Sequence, residues 1–300
     1  MLEAIPEYPD LTVLEKNHRD LLRQQFHAVQ PDISEMSFAY LWSWKPYTDV
    51  ALARHGDVLI VVFINARTGE TVALPPVTVD SGKALHATKT VLEGNVGAFV
   101  RVPDILAEEI AAEGEFVSEE ERERADYVYE AHELGNLPGQ RYHSKKNHIR
   151  QFVSSCPDAV YRTMDRKLAG ACADFAREWL EQHPRGDMPG LRREVDVTIR
   201  MLDNFQWLEL IGGVVLDKGR TVAFALGEKL NDNTFVVRVE KADADVPGSY
   251  QFINREFVRN AAGSCRWINR EQDLGIPGLR RAKQSYLPHH LVRKYRIVQA

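Results

Sequence analysis

Three cysteines in 300 residues, Cys156, Cys172 and Cys265, are too few and too scattered for a disulfide framework, and none forms a CxxC pair. They read as small buried hydrophobes in a reducing cytosol. The sequence has no run of about 18 apolar residues, so no transmembrane helix is expected. The opening "MLEAIPEYPDLTVLEKNHRD" has no cationic start followed by an apolar core, so it does not read as a secretory signal. The expected location is cytoplasmic. Also missing are a GxxxxGK[ST] phosphate loop, a GxGxxG turn after a strand, an HExxH pair and a GxSxG elbow. The ten histidines show no ligand spacing. His289 and His290 are adjacent, and adjacent side chains diverge on any regular element. No metal is expected.

What is present is a soluble composition, 44% hydrophobic and 27% charged, and a segregated charge. The net charge is −5, but Asp104 to Glu133 alone holds twelve acids and two bases, a balance of −10. The rest of the chain therefore carries +5. Gly139–Phe152 and Leu279–Ala300 contain no acid at all. Such segregation permits a basic patch for a phosphate-bearing partner on a mildly acidic protein.

Hydrophobic periodicity gives an α+β order. An amphipathic helix is expected over "LTVLEKNHRDLLRQQFHAV". An aromatic segment, "FAYLWSWKPYTDV", follows. Strands are expected on both sides of His55-Gly56-Asp57 and after a turn at Arg67-Thr68-Gly69. "PDILAEEIAAEGEFVSEEERERA" reads as acidic helices, "DYVYEAHEL" as a strand and "RYHSKKNHIRQFVSS" as a basic helix. In the second half, "AVYRTMD" is expected as a strand and "RKLAGACADFAREWLEQH" as a helix stopped by Pro184 and Gly186. "PGLRREVDVTIRMLDNFQWL" is a second helix. A three-stranded meander then turns at Asp217-Lys218-Gly219 and Asn231-Asp232-Asn233. The helix "PGSYQFINREFVRNAA", the strand "CRWIN", the helix "GLRRAKQSY" and the strand "LVRKYRIV" complete the chain. The halves share an outline without a residue-level repeat. Two domains are expected, residues 1–155 and 156–300, each a mixed and mostly antiparallel sheet flanked by helices.

Three blocks concentrate chemistry. The basic helix carries Arg141, Lys145, Lys146 and His148 at spacings that bring several onto one face. This is either a phosphate-contacting surface or a cationic helix that pairs with the acids before it. In "VEKADADVPGSYQFINREF", a strand runs out into Glu240 and Lys241, and a helix opens with Ser249, Tyr250, Gln251 and Asn254. A helix N-terminus favours an anion, and a carboxylate at the strand end can serve as a general base. The plainer account makes Ser249 a cap and the acids solvated. In "WINREQDLGIPGLRRAKQSYLPHH", Asn269, Glu271 and Asp273 leave a strand, Gly275 and Gly278 turn the backbone, and Arg280, Arg281, Lys283 and Tyr286 follow.

"LPGQRYHSKKNHIRQF", "VEKADADVPGSYQFINREF" and "INREQDLGIPGLRRAKQSYLP" together resemble the blocks of a bacterial domain of unknown function. That domain is grouped with the C-terminal synthase domain of phosphatidylglycerol lysyltransferases. The resemblance covers most of the chain and is sharpest after Leu137. It implies two tandem domains similar to Gcn5-related N-acetyltransferases (GNAT-like), with the donor site in the second. The activity implied is acyl or aminoacyl transfer without a metal or tightly bound cofactor. The donor would be aminoacyl-tRNA, held through a basic patch, and the acceptor an amine or hydroxyl of a lipid or other small molecule. Glu240 or Asp273 would accept a proton, and Tyr286 would return one. Arg280, Arg281 and Lys283 would hold phosphate. Where an acetyl-CoA loop would carry a glycine-rich run, this chain has only Val246-Pro247-Gly248-Ser249. An acyl-CoA-dependent N-acyltransferase and a non-catalytic binding protein remain the alternatives.

Overall fold

The computed structural model describes residues 2–64, 69–182 and 188–300. Two compact units emerge. The first takes residues up to Asp126 together with Gln272–Arg280 and Leu291–Ala300; the second takes Tyr127–Glu271 and Arg281–His290. The division therefore falls between Asp126 and Tyr127, whereas the boundary expected at 155/156 falls at the end of a helix, His143–Ser155.

The first unit contains β1 (Thr12–Val13), α1 (Arg19–Val29), α2 (Phe38–Trp44), β2 (Asp49–His55), β3 (Val58–Ile64) and β4 (Thr71–Ala73). It continues through α3 (Ser81–Leu92), β5 (Ala98–Pro103), α4 (Asp104–Ala112) and β6 (Phe116–Glu120). The chain then runs through β7 (Asp126–Glu130), α5 (Ala131–Asn136), α6 (His143–Ser155), β8 (Val160–Thr163), α7 (Arg166–Gln182) and α8 (Pro189–Asp203). β9 (Ile211–Asp217), β10 (Arg220–Lys229), β11 (Thr234–Ala242), α9 (Ser249–Ala261) and β12 (Trp267–Asn269) follow. α10 (Pro277–Gln284), β13 (His290–Val292) and β14 (Lys294–Gln299) end the order. One seven-stranded sheet runs β1-β2-β3-β4-β5-β14-β6 and the other β13-β7-β12-β11-β10-β9-β8. Both are mixed, with a parallel pair (β4 with β5, β11 with β12) among antiparallel ones. The α+β class and the flanked, mostly antiparallel sheets stand.

Local chemistry explains the hairpins. Asp217 pairs with Arg220, and the two residues between them, Lys218 and Gly219, both have positive φ, at 49° and 82°. That backbone twist matches the twist of the flanking strands. In the first sheet, Val58, Ile60 and Val62 of β3 join Phe99 and Val102 of β5, Ile110 of α4 and Ile297 of β14 in one buried cluster. In the second, β10 is buried from Thr221 to Gly227. Phe175 of α7 meets Phe224, and Phe257 of α9 meets Phe235 of β11. A central strand covered in this way reads as a continuous apolar run rather than an alternating one.

Several expectations are corrected. Leu11–Glu15 is not helical: Thr12 pairs with Leu52, and the Leu14 amide donates to the Val50 carbonyl. The "FVSEE" of the acidic stretch is strand β6, because its hydrogen-bonding partner β14 arrives from far along the chain. Strand "DYVYEAHEL" gives way to α5 after Glu130. α8 ends at Asp203, short of Trp207 and Leu208. The last expected strand is two, β13 and β14, in different sheets. α3 and β5 have no counterpart among the elements expected from the sequence. Arg67 and Thr68 of one expected turn, and the helix stop at Pro184 and Gly186, lie outside the described residues.

The first unit also buries a charged network that no sequence motif signals. The Lys294 ammonium, fully buried, donates to Glu35 Oε2 at 2.6 Å and Asp126 Oδ1 at 2.7 Å. Arg101 Nε adds an ion pair to Glu35 at 3.1 Å. Burial pushes the Glu35 carboxyl up, but the Lys294 and Arg101 charges outweigh it and hold the group at about 2.

Candidate functional site

The pleat of β11 decides which predicted residues share a site. Successive side chains on a strand point to opposite faces. Glu240 meets α9, where Asn254 Nδ2 donates to Glu240 Oε2 at 2.8 Å. Lys241 turns the other way, towards α7 and α8. Its ammonium pairs with Glu194 at 2.9 Å and lies 3.9 Å from the Trp179 ring centroid. Lys241 is 3% exposed and so offers no phosphate contact, contrary to expectation.

Arg270 sits just past β12, the strand parallel to β11. Its Nη2 reaches both Glu240 oxygens at 3.3 and 3.4 Å. Its guanidinium also covers the Tyr286 and Tyr129 rings, at 4.9 and 5.7 Å from their centroids. Glu240 and Arg270 are each 14% exposed, so the pair is largely desolvated. Among the described residues two buried polar atoms here have no partner: Asn254 Oδ1, an acceptor, and Arg270 Nη1, a donor. Asn254 itself is 1% exposed. Such orphans are costly unless a ligand or water meets them.

The end of α10 and the segment after it are fixed from beneath. Tyr129 Oη donates to the Lys283 carbonyl at 2.9 Å, and Tyr142 Oη to the Tyr286 carbonyl at 3.2 Å. Burial pushes the Tyr286 and Tyr129 phenols well above the ordinary tyrosine value, and Tyr142 up to about 12. Lys283 is buried as well. Its ammonium donates to the carbonyls of Arg270 and Glu271, which removes it from the phosphate-binding role expected of it. On α6, Lys145 Nζ donates to Ser285 Oγ at 2.6 Å and lies 4.2 Å from the Tyr286 ring centroid. Burial, and then the Arg270 charge, push the Lys145 amine below its usual value.

The remaining predicted residues divide by environment. Ser249 is buried, with Oγ donating to the Asp243 carbonyl at 2.9 Å. Tyr250 and Gln251 are half-buried. Gly248, just before them, has φ +83°, and a Cβ there would run into the His148 carbonyl oxygen. The opening of α9 therefore has α6 backbone packed against it at Gly248. Asn269 is buried and accepts from the Glu271 amide at 2.8 Å. Glu271 Oε1 accepts from buried Arg238 at 2.7 Å. Arg141 is exposed and pairs with Glu133, and Lys146 donates to the Gly139 carbonyl at 2.7 Å. The His148 and Arg281 side chains face solvent.

Asp273 and Arg280 belong to the first unit. Asp273 is fully buried and accepts from Arg280 Nε at 2.7 Å, Arg280 Nη2 at 3.0 Å and the Gly275 amide at 2.8 Å. A carboxylate so saturated is a poor proton acceptor, and Arg280 is committed to it. This corrects the expected base and phosphate roles of the two. His289 and His290 do not diverge: their Nδ1 atoms lie 3.0 Å apart beside Trp267, because His290 opens β13 while His289 precedes it. Among the described residues, no group of three or more His, Cys, Asp or Glu could hold a metal ion, and no helix is long and apolar enough to cross a membrane.

Residues 26–298 match the family described as phosphatidylglycerol lysyltransferase, C-terminal. A conserved protein of unknown function from Bacteroides thetaiotaomicron is 30% identical, with a TM-score of 0.88, over 97% of this chain and 99% of its own. The C-terminal domain of a candidate lysylphosphatidylglycerol synthetase from Agrobacterium fabrum is 12% identical, with a TM-score of 0.66, over 95% and 92%. A curated relative, an uncharacterized protein of Mycoplasmoides gallisepticum, is 22% identical over 57% of this chain, and the match spans about half, 54%, of that relative's length.

Proposed function

Because the chain belongs to the phosphatidylglycerol lysyltransferase C-terminal family, we propose that it moves an aminoacyl group from aminoacyl-tRNA to an amine or hydroxyl acceptor, a lipid or another small molecule. Family and fold point to acyl transfer; the donor and acceptor are our reading. The observation that carries it is the Glu240–Arg270–Asn254 cluster, with an orphan acceptor and an orphan donor beside a high-pKa phenol.

The acceptor's amine or hydroxyl attacks the ester carbonyl. Glu240 takes the proton that the nucleophile loses, and Arg270 and Asn254 hold its carboxylate in place. The Tyr286 phenol, kept protonated by burial, gives a proton to the departing ribose oxygen. The solvent-facing basic side chains of α6 and α10, Arg141, His148 and Arg281, with half-buried Lys146, meet phosphate. The packing of α6 against Gly248 leaves less of the α9 opening for a CoA pyrophosphate.

Binding of charged tRNA across a salt series tests this reading. Removing one phosphate-binding cation should flatten the log–log slope of affinity against salt by roughly 1. Arg141→Glu/Lys146→Glu should therefore flatten it by about two. Absence of binding at low salt would remove the tRNA reading, and saturable CoA binding by calorimetry would replace it.

A further inference from the structure

The cations of the two acid-free segments divide by partner. Arg141 has Glu133, Arg280 has Asp273, Arg293 has Asp104, and Lys294 has Glu35 and Asp126. Lys283 and Lys146 have backbone carbonyls. Lys145 differs. Its hydrogen bond is to a neutral hydroxyl, Ser285 Oγ, at 2.6 Å, and no carboxylate pairs with it among the described residues. The groups facing it are the Tyr286 ring and the Arg270 guanidinium, a second cation. Ser285 is held in place: its Oγ donates to the Ala282 carbonyl at 2.6 Å, and the nearby Lys283 and Tyr286 carbonyls accept from the buried hydroxyls of Tyr129 and Tyr142.

We infer that Lys145 is a self-acylation site, a nucleophilic amine that takes the acyl group of an activated ester or thioester. The inference rests on reading the protein as an acyl-transfer enzyme. Neutral Nζ attacks the carbonyl carbon. The C–N bond forms, the C–O or C–S bond breaks, and the departing alkoxide or thiolate takes the proton the amine sheds. Half-burial and the neighbouring guanidinium favour the neutral amine. The product is an uncharged amide beside Tyr286, so acylation removes a positive charge from the edge of the site.

The full chain is incubated with p-nitrophenyl acetate in one arm and acetyl-CoA in the other, and acetyl-lysine is mapped by mass spectrometry. Lys146 is the adjacent control. Lys83, whose ion pair with Asp57 favours its charged form, is the paired control. Lys145 should be acetylated severalfold faster than both by the ester. A larger lead of Lys145 over Lys146 in the thioester arm than in the ester arm would identify acyl-thioesters as the source, and the reverse would identify oxygen esters. Arg270→Gln should shrink the lead of Lys145 over Lys146, and so should Ser285→Ala, which frees the amine from its hydroxyl partner at an exposed position without loss of fold. Equal or slower labelling of Lys145 overturns the inference. The ester arm needs no donor recognition, so a protein that binds neither tRNA nor CoA would still label, and failure of labelling would leave the transferase reading untouched.

Discussion

Arg270 donates to both carboxylate oxygens of Glu240, at 3.3 and 3.4 Å, across 30 residues of sequence. Removing one partner of a desolvated pair leaves the other charge uncompensated. Arg270→Gln is expected to cost about 3 kcal/mol, read as a lower urea midpoint. Glu240→Gln strands the Arg270 guanidinium in turn and should cost a similar amount while abolishing transfer. A loss below about 1 kcal/mol in either variant would contradict this reading of the pair.

The Tyr286 hydroxyl makes no hydrogen bond among the described residues; the bond from Tyr142 goes to the Tyr286 backbone carbonyl. Tyr286→Phe should therefore change stability by no more than about 0.5 kcal/mol. If the phenol is the proton donor, transfer should fall by about 10²–10⁴-fold. Retained turnover would return the role to solvent.

Glu35 titrates at about 2 in the fold, below its ordinary value of 4.5. A folded-state pKa that is depressed contributes stability above the unfolded value and loses it as pH falls. The contribution of Glu35 should thus be complete above about pH 4.5 and fade between there and about pH 2. Glu35→Gln should flatten the acid limb of a stability–pH curve in that window. Lys294→Met, which removes the ammonium shared by two buried carboxylates, should cost about 3–5 kcal/mol at neutral pH.

Gly248→Ala meets both a left-handed backbone and the His148 carbonyl. It should destabilise by more than about 1 kcal/mol in thermal unfolding. Gly139, also at positive φ but with open space around it, supplies the comparison. Gly139→Ala should cost less.

Where the determinants are local, the sequence is readable. The hairpin turns at Gly56 and Gly219, the basic helix α6 and the meander rest on residues within a few positions of one another. β6 reads as helix because its Glu-rich composition favours one, and its partner β14 lies about 180 residues on, with Arg296 opposite Glu119. Arg270 escapes notice for the same reason. Nothing in "INREQ" distinguishes a buried guanidinium from a solvated one until β11 brings Glu240 beside it. Charge alone casts Lys241 and Lys283 as ligand-binding cations, and only Glu194, Trp179 and the carbonyls just past β12 reveal them as internal ties. The approach of Asn254 to Glu240 is legible through its place on a helix that follows that carboxylate.

β14 is inserted between β5 and β6 of the first sheet, after the chain has passed through nearly all of the second unit. During synthesis, the sheet whose strands are made first thus stays open along a seam until Gln299 clears the ribosome. The second unit has almost all its strands in hand sooner. The nascent protein must keep the unpaired edges of β5 and β6 from joining foreign strands for that whole interval. That interval opens a route to misassembly that the stability of the finished fold does not close.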